Sequence, residues 1–289
     1  MSGAGQKKGS KTLHDAGGKF FNRRHIVNAQ SRFRKMNPDA RILSTSFIED
    51  LNATIDFLNE KNYLTFPFHI KGFQAIVFAN EERLKILIRR GYLTLFDSTH
   101  STNVHGHRLF TFMVRNEYGV WIPCAHSLVE NERADILTEC MKRINLWCGG
   151  HWRMKYALTD DSATERLAVK QAFAGANGEE TNVTHLLCTV HSSRTLMRRL
   201  SHAPESRKYL NSAMFYRKTE GGCIEDINLA VNAAPNETTK QYIINEWLND
   251  RFAWAMFARQ HSGILLQVTT TNPVEAWHKQ IKQHCEKKR

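Results

Sequence analysis

The sequence predicts an α/β domain built on a mixed sheet of about five strands with helices on its faces, interrupted late by an all-helical insertion. Three observations carry this. Apolar segments of strand character follow one another at 92–96, 109–114 and 120–128. Helical and strand-like periodicities then alternate as far as residue 190. Between 194 and 260 the apolar spacing is helical throughout, and one last helix follows, opening at Asn272 with Pro273 in the first turn.

Taken in order, residues 1–35 carry Lys7, Lys8, Lys11, Lys19, Arg23, Arg24, Arg32, Arg34 and Lys35 against Asp15, which reads as a flexible basic arm. The segment 36–91 reads as helical. Ser46 is a candidate N-cap before Ile48, Leu51, Ile55 and Leu58, and a second helix starts at Asn80, uses Leu84, Leu87 and Ile88, and stops at Gly91. The strand at 92–96 runs into Asp97 and a polar loop at 98–103; Asn116 to Gly119 supply turn chemistry between the next two strands. A helix from Asn131 presents Ile136 or Leu137, Cys140 or Met141, and Ile144 on one face, and Gly149-Gly150 ends it. Trp152, Met154, Tyr156 and Leu158 alternate with polar or small residues as a strand leading to Asp160. Ser162 and Glu165 form a capping box for a helix from Ala163, and 183–190 reads as a fifth strand. The core is thus assigned to 92–193 and 266–289, and the helical insertion to 194–265.

The chain of 289 residues can bury a sizeable core, and its 42% hydrophobic and 24% charged composition is that of a globular protein. Its start lacks an apolar signal region and no segment reaches bilayer length, so an intracellular protein without a membrane role is expected. Six cysteines without a CxxC pair argue against both a disulfide framework and a zinc ribbon. Forty Lys and Arg against 28 acidic residues leave a formal +12, which suits a polyanionic partner through counterion release and equally a merely soluble basic surface.

Two-metal phosphoryl transfer needs carboxylates from separate elements converging on ions roughly 3.5–4 Å apart. Asp97 and Asp160 each end an apolar strand, where a carboxylate emerges at the sheet edge; a strand-terminal Asp that caps a turn looks the same. Glu275, three residues after Asn272, suits a helix cap on its own terms. His278, Lys279 and Lys282 follow on one helical face and could meet phosphates, while Glu275 and Lys279 also make an ordinary i,i+4 pair.

The segments LTLFDSTHSTN (93–103), RLFTFMVRNEYGVWIPCAHSLVENE (108–132), ALTDDS (157–162), HLLCTVH (185–191) and TTTNPVEAWHKQIK (269–282) together resemble, in the same order, the transposase domain of Mutator-like elements. The resemblance covers roughly 75–285. It implies an RNase H-like fold and a site for two Mg²⁺ or Mn²⁺ ions held by Asp97, Asp160 and Glu275. Asp161 competes with Asp160, and the family's Thr-Asp pattern favours Asp160. Cys188 and His191 match a Cys-x-x-His motif of that family. Two ligands cannot close a tetrahedral zinc site, so recruiting other residues, orienting the site and contacting DNA all stay open beside a buried, hydrogen-bonded thiol.

The resemblance further implies DNA as partner, both transposon ends and target, with Arg23, Arg24, Lys279 and Lys282 on phosphates, a homodimer or higher oligomer on DNA, and a nuclear location. Hydrolysis at a transposon end followed by strand transfer is the implied reaction. No zinc-binding recognition module stands before residue 75 or after Glu275. A truncated or domesticated derivative that binds DNA or regulates transcription without catalysis is therefore the alternative.

Overall fold

The computed structural model describes residues 13–14, 20–21, 47–103, 105–160, 162–174, 183–260 and 268–287. Arg23, Arg24, Ser46 and Asp161 lie outside these, as does most of the basic arm, whose described parts are the antiparallel pair Leu13–His14 and Phe20–Phe21. The chain divides into two compact units, Met1–Asp56 with Gln283–Arg289, and Phe57–Lys282. The second holds the sheet.

After helix α1 (Phe47–Glu60) come strands β1 (Tyr63–Ile70) and β2 (Phe73–Asn80), helix α2 (Glu81–Arg90), and strands β3 (Leu93–Thr99), β4 (Arg108–Arg115) and β5 (Trp121–Val129). Helix α3 (Ala134–Trp147), strand β6 (Tyr156–Thr159), helix α4 (Ala163–Ala172) and strand β7 (Thr184–Leu187) complete the alternation. The seven strands lie in the order β1-β2-β5-β4-β3-β6-β7. Strand β3 is an interior strand of the mixed sheet where strand direction changes, antiparallel to β4 and parallel to β6.

The helical reading of 36–91 needs correction, because β1 and β2 form a hairpin within it. Lys71 and Gly72 make its two-residue loop with φ of 52° and 86°, the left-handed pair that matches strand twist. Pro67 obscures the pattern, yet an edge strand such as β1 tolerates proline. Two other strands are shorter than expected. Trp152 and Met154 are buried ahead of β6, and Thr189 already opens a helix, so Cys188 caps that helix and does not continue a strand.

Alternation along β3 divides its side chains between two cores. On one face Phe96 joins Phe110, Phe112 and Trp152 against Ile136, Leu137, Cys140, Met141 and Ile144 of α3. On the other, Leu93 and Leu95 pack with Met113, Leu158, Leu186 and Val274, the last from the C-terminal helix. Asp97 follows Leu95 in the alternation and so belongs to the face that this final helix covers.

Every element described between 189 and 259 is helical: α5 (Thr189–Arg199), α6 (Pro204–Phe215), α7 (Glu220–Asn232), α8 (Glu237–Tyr242), a π-helical turn (Ile243–Leu248), α9 (Arg251–Trp254) and α10 (Met256–Arg259). They enclose a separate core containing Leu210, Ile227, Ile243, Trp247 and Trp254. The stretch 236–259 is broken where Trp247 and Trp254 meet edge to face at 5.1 Å, and Trp254 Nε1 donates to the Trp247 carbonyl at 3.0 Å. Helix α11 (Asn272–Lys287) follows. No helix among the described residues is long and apolar enough to cross a membrane.

Candidate active site

The parallel register sets Leu95 of β3 beside Leu158 of β6. Carrying it forward by two residues places Asp97 next to Asp160 at the same end of adjacent strands. Asp97 is buried, and its Oδ1 accepts the Ser98 N–H at 2.6 Å. Burial is the main force that pushes its carboxyl up to about 7, and the like charge of Asp160 adds to it. The Ser98 N–H and His191 pull the other way, and Glu275 raises it further.

Glu275 reaches the same place from the first turn of α11. That turn is anchored at Thr271, whose carbonyl accepts the N–H groups of Val274 and Glu275 at 2.8 and 3.2 Å. The Thr271 hydroxyl donates to Asp160 Oδ1 at 3.2 Å, tying the helix start to the end of β6. Further along, His278 is buried, with Nε2 3.0 Å from Thr111 Oγ1; Thr111 in turn lies 3.1 Å from His126 Nδ1. Thr111 is the register partner of Asp97. The phosphate-contact reading of His278 is therefore corrected: burial drives its pKa down to about 4, and the neutral ring fastens the helix to the sheet.

His191 joins the carboxylates. Its Nδ1 lies 2.7 Å from Asp160 Oδ1 and its Nε2 3.4 Å from Glu275 Oε1. The Asp160 contact and then Cys188 raise its pKa to about 10, so the ring is an imidazolium at neutral pH. Cys188, fully buried, accepts the Thr271 N–H at 3.3 Å. Burial alone would push this thiol up, but the hydrogen bonds from His191 and Thr271 together hold it below its ordinary value. Among the described residues the ion-pair partner of Glu275 is thus His191, and the alternative pairing with Lys279 is not formed.

One acidic residue escaped the sequence reading. Ser162 does cap α4, accepting the Glu165 N–H at 3.3 Å. The Glu165 carboxylate, however, is only 2% exposed, its Oε2 has no hydrogen-bond partner, and its pKa is raised well above the ordinary value by burial first and then by Asp97 and Asp160. A Glu three residues after a Ser N-cap gave no sign of this, since the pattern suits a reciprocal cap equally well.

Arg108 lies close enough to the carboxylates to act on Glu165. Arg108 is ion-paired with Glu132, and with Lys282 it bears electrostatically on exposed His100, whose pKa is lowered mainly by desolvation and then by these two cations. Lys279 is exposed and Lys282 half-buried.

Residues 56–178 match the family model described as zinc finger SWIM domain-containing protein 1/3, RNaseH-like domain. No curated protein matches the chain. The mixed seven-stranded sheet flanked by helices agrees with that match, and the fold is RNase H-like. The matched span holds Asp97, Asp160 and Glu165, and ends before Cys188, His191 and Glu275.

Proposed function

We propose that this chain is the catalytic core of a DNA transposase of the Mutator-like type, with Asp97, Asp160 and Glu275 holding divalent cations and Glu165 adding a fourth carboxylate. The observation that supports the reading best is the burial of Asp97 against Asp160, which pushes its carboxyl up to about 7. A cation beside such a carboxylate offsets the cost of its buried charge and brings it to full ionisation at neutral pH. All-oxygen donors suit a hard ion, Mg²⁺ or Mn²⁺, so the residues fit the group the fold implies. Two such ions, when bound, supply Lewis-acid stabilisation of the phosphoryl group and of the attacking and leaving oxygens.

The chain's own residues do the rest. Arg108, Lys279 and Lys282 neutralise phosphates along the strand, and the Thr271 hydroxyl and His191 orient Asp160. An oxygen nucleophile, water in hydrolysis or a DNA 3′-hydroxyl in strand transfer, gives up its proton to solvent as it attacks phosphorus, the P–O3′ bond breaks, and the departing 3′ oxygen takes a proton from solvent. The substrates are transposon ends and target DNA, with an oligomer bridging them in a nuclear setting.

A second reading has its own support. His191 already neutralises Asp160 and Glu275, as in a site that has given up its cations, and the matched family model bears a zinc finger SWIM name, not a transposase name. A domesticated DNA-binding derivative would look like this. Cleavage of supercoiled or terminal-repeat DNA with Mg²⁺ or Mn²⁺ separates the two. The catalytic reading expects cleavage by the wild type and its loss in Asp97→Asn, Asp160→Asn and Glu275→Gln; cleavage that survives these changes, or a silent wild type, defeats it.

A further inference from the structure

Cys188 and His191 are three apart at the start of α5, as N-cap and first-turn residue, which sets both side chains on one side of the helix end. The helix start is fixed against β6 by the Cys188 N–H, which donates to the Thr159 carbonyl at 2.8 Å, so Asp160 is the next residue along. One ligand atom each from Asp160, Cys188 and His191 lie within 4.8 Å of one another. A four-coordinate cation with bonds of about 2.0–2.3 Å to N, O and S needs donor atoms spaced on this scale.

The surroundings are those of a built site. A metal-ligating histidine usually gives its second ring nitrogen to a carboxylate, and His191 Nε2 lies 3.4 Å from Glu275 Oε1. The Cys188 sulfur receives the Thr271 N–H at 3.3 Å, and the Thr271 hydroxyl reaches Asp160 at 3.2 Å, so one residue orients two of the three donors. Asp160 and His191 keep 28% and 25% side-chain exposure, which leaves an approach from solvent, while the sulfur is sealed behind them.

We infer that Asp160, Cys188 and His191 form a site for one borderline-soft transition-metal ion, Zn²⁺ in the first instance, with three protein ligands and a fourth position open. Sulfur and imidazole donors select such an ion over Mg²⁺. Asp160 belongs to both this site and the carboxylate group around Asp97, so a zinc ion here draws on a ligand of the proposed catalytic centre. It also takes His191 away from its ion pair with Asp160. The inference stands on this geometry and does not require the chain to cleave DNA.

The test is Co²⁺ titration of the reduced full chain, followed by absorbance. The wild type should bind Co²⁺ with a thiolate-to-cobalt charge-transfer band that saturates at one ion per chain, and intense visible bands of low-coordinate cobalt; Zn²⁺ should bleach them and Mg²⁺ should not. Cys188→Ser should remove the charge-transfer band, and Cys223→Ser, in the core of the helical insertion, should leave it. Glu275→Gln, which alters the partner of the second nitrogen of His191 and leaves the thiol in place, should weaken the Co²⁺ binding read by the charge-transfer band at least about tenfold. If Cys188→Ser does not fold, His191→Gln decides the matter, since it spares the thiol and should still lose binding at least tenfold. A wild type without the charge-transfer band, a band that persists in Cys188→Ser, or unchanged affinity in His191→Gln overturns the inference.

Discussion

Asp160 and His191 stand 2.7 Å apart, and the same imidazole reaches Glu275 on its other nitrogen at 3.4 Å, so the site carries its own counter-cation. Asp97 is left outside this arrangement, and the metal-free stability should follow its titration. Its carboxyl is raised from an ordinary 3.8 to about 7, chiefly by burial. An acid whose folded pKa lies above its unfolded value stabilises the fold below the unfolded value, and that contribution disappears as pH rises through the folded one. Metal-free protein should therefore lose stability between about pH 4 and pH 7, and Asp97→Asn should reduce that slope, the buried Glu165 carrying the remainder. At pH 8 the variant should melt higher than the wild type by roughly 2–4 °C, the shift expected for about 1 kcal/mol in a domain of this size. Differential scanning calorimetry across pH checks this, and an Asp97→Asn melt that falls below the wild type would contradict it.

Glu165→Gln separates a cap from a member of the site. The Ser162 hydroxyl caps the backbone and is untouched by the change, so the helix should persist. With like-charged Asp97 and Asp160 close by, the amide should match or raise metal-free stability. The rise in melting temperature that Mn²⁺ produces should shrink. A variant that is less stable without metal and gains as much from Mn²⁺ as the wild type would return Glu165 to a structural role.

Thr111→Val removes the hydroxyl shared by His126 and His278. The buried His278 ring and the half-buried His126 ring then lose a partner at once, and the His278 ring left unsatisfied costs about 1–3 kcal/mol. Urea denaturation should show a loss in that range. Because His278 fastens α11, Mn²⁺ binding should weaken as well, although Thr111 touches no carboxylate. An unchanged denaturation midpoint would rule out the relay as an anchor.

DNA binding should be carried by phosphates. Lys279→Ala and Lys282→Ala should weaken binding about equally for all sequences, and each should reduce the salt slope by about one. Fluorescence anisotropy over a range of NaCl reads both quantities; a sequence-dependent loss at constant slope would argue for base contacts instead.

Legibility in the sequence followed the physics of each element. Clean apolar runs that lead into an acidic residue, as before Asp97 and Asp160, announce themselves, as do helices with marked ends such as Asn80 to Gly91. Strand β3 nevertheless continues through Asp97 to Thr99 and does not turn into the expected loop at residue 98. The hairpin at Tyr63–Asn80 did not, because Pro67 breaks the alternation and Lys71-Gly72 is not a common turn pair. Glu165 stayed hidden since its helix position has a sufficient local explanation, and only the sheet register shows which carboxylates it faces. His278 looked like a phosphate ligand by helical spacing; the facing Thr111 lies far away in sequence and no periodicity reports it.

The central claim, that Asp97, Asp160 and Glu275 jointly hold divalent cations, is tested most directly by anomalous scattering from Mn²⁺ diffused into crystals of the full chain. Anomalous density should touch the carboxylates of Asp97, Asp160 and Glu275, with Glu275 released from His191. Mn²⁺ bound elsewhere, with the His191 ion pairs to Asp160 and Glu275 unchanged and no density beside Asp97, would contradict it.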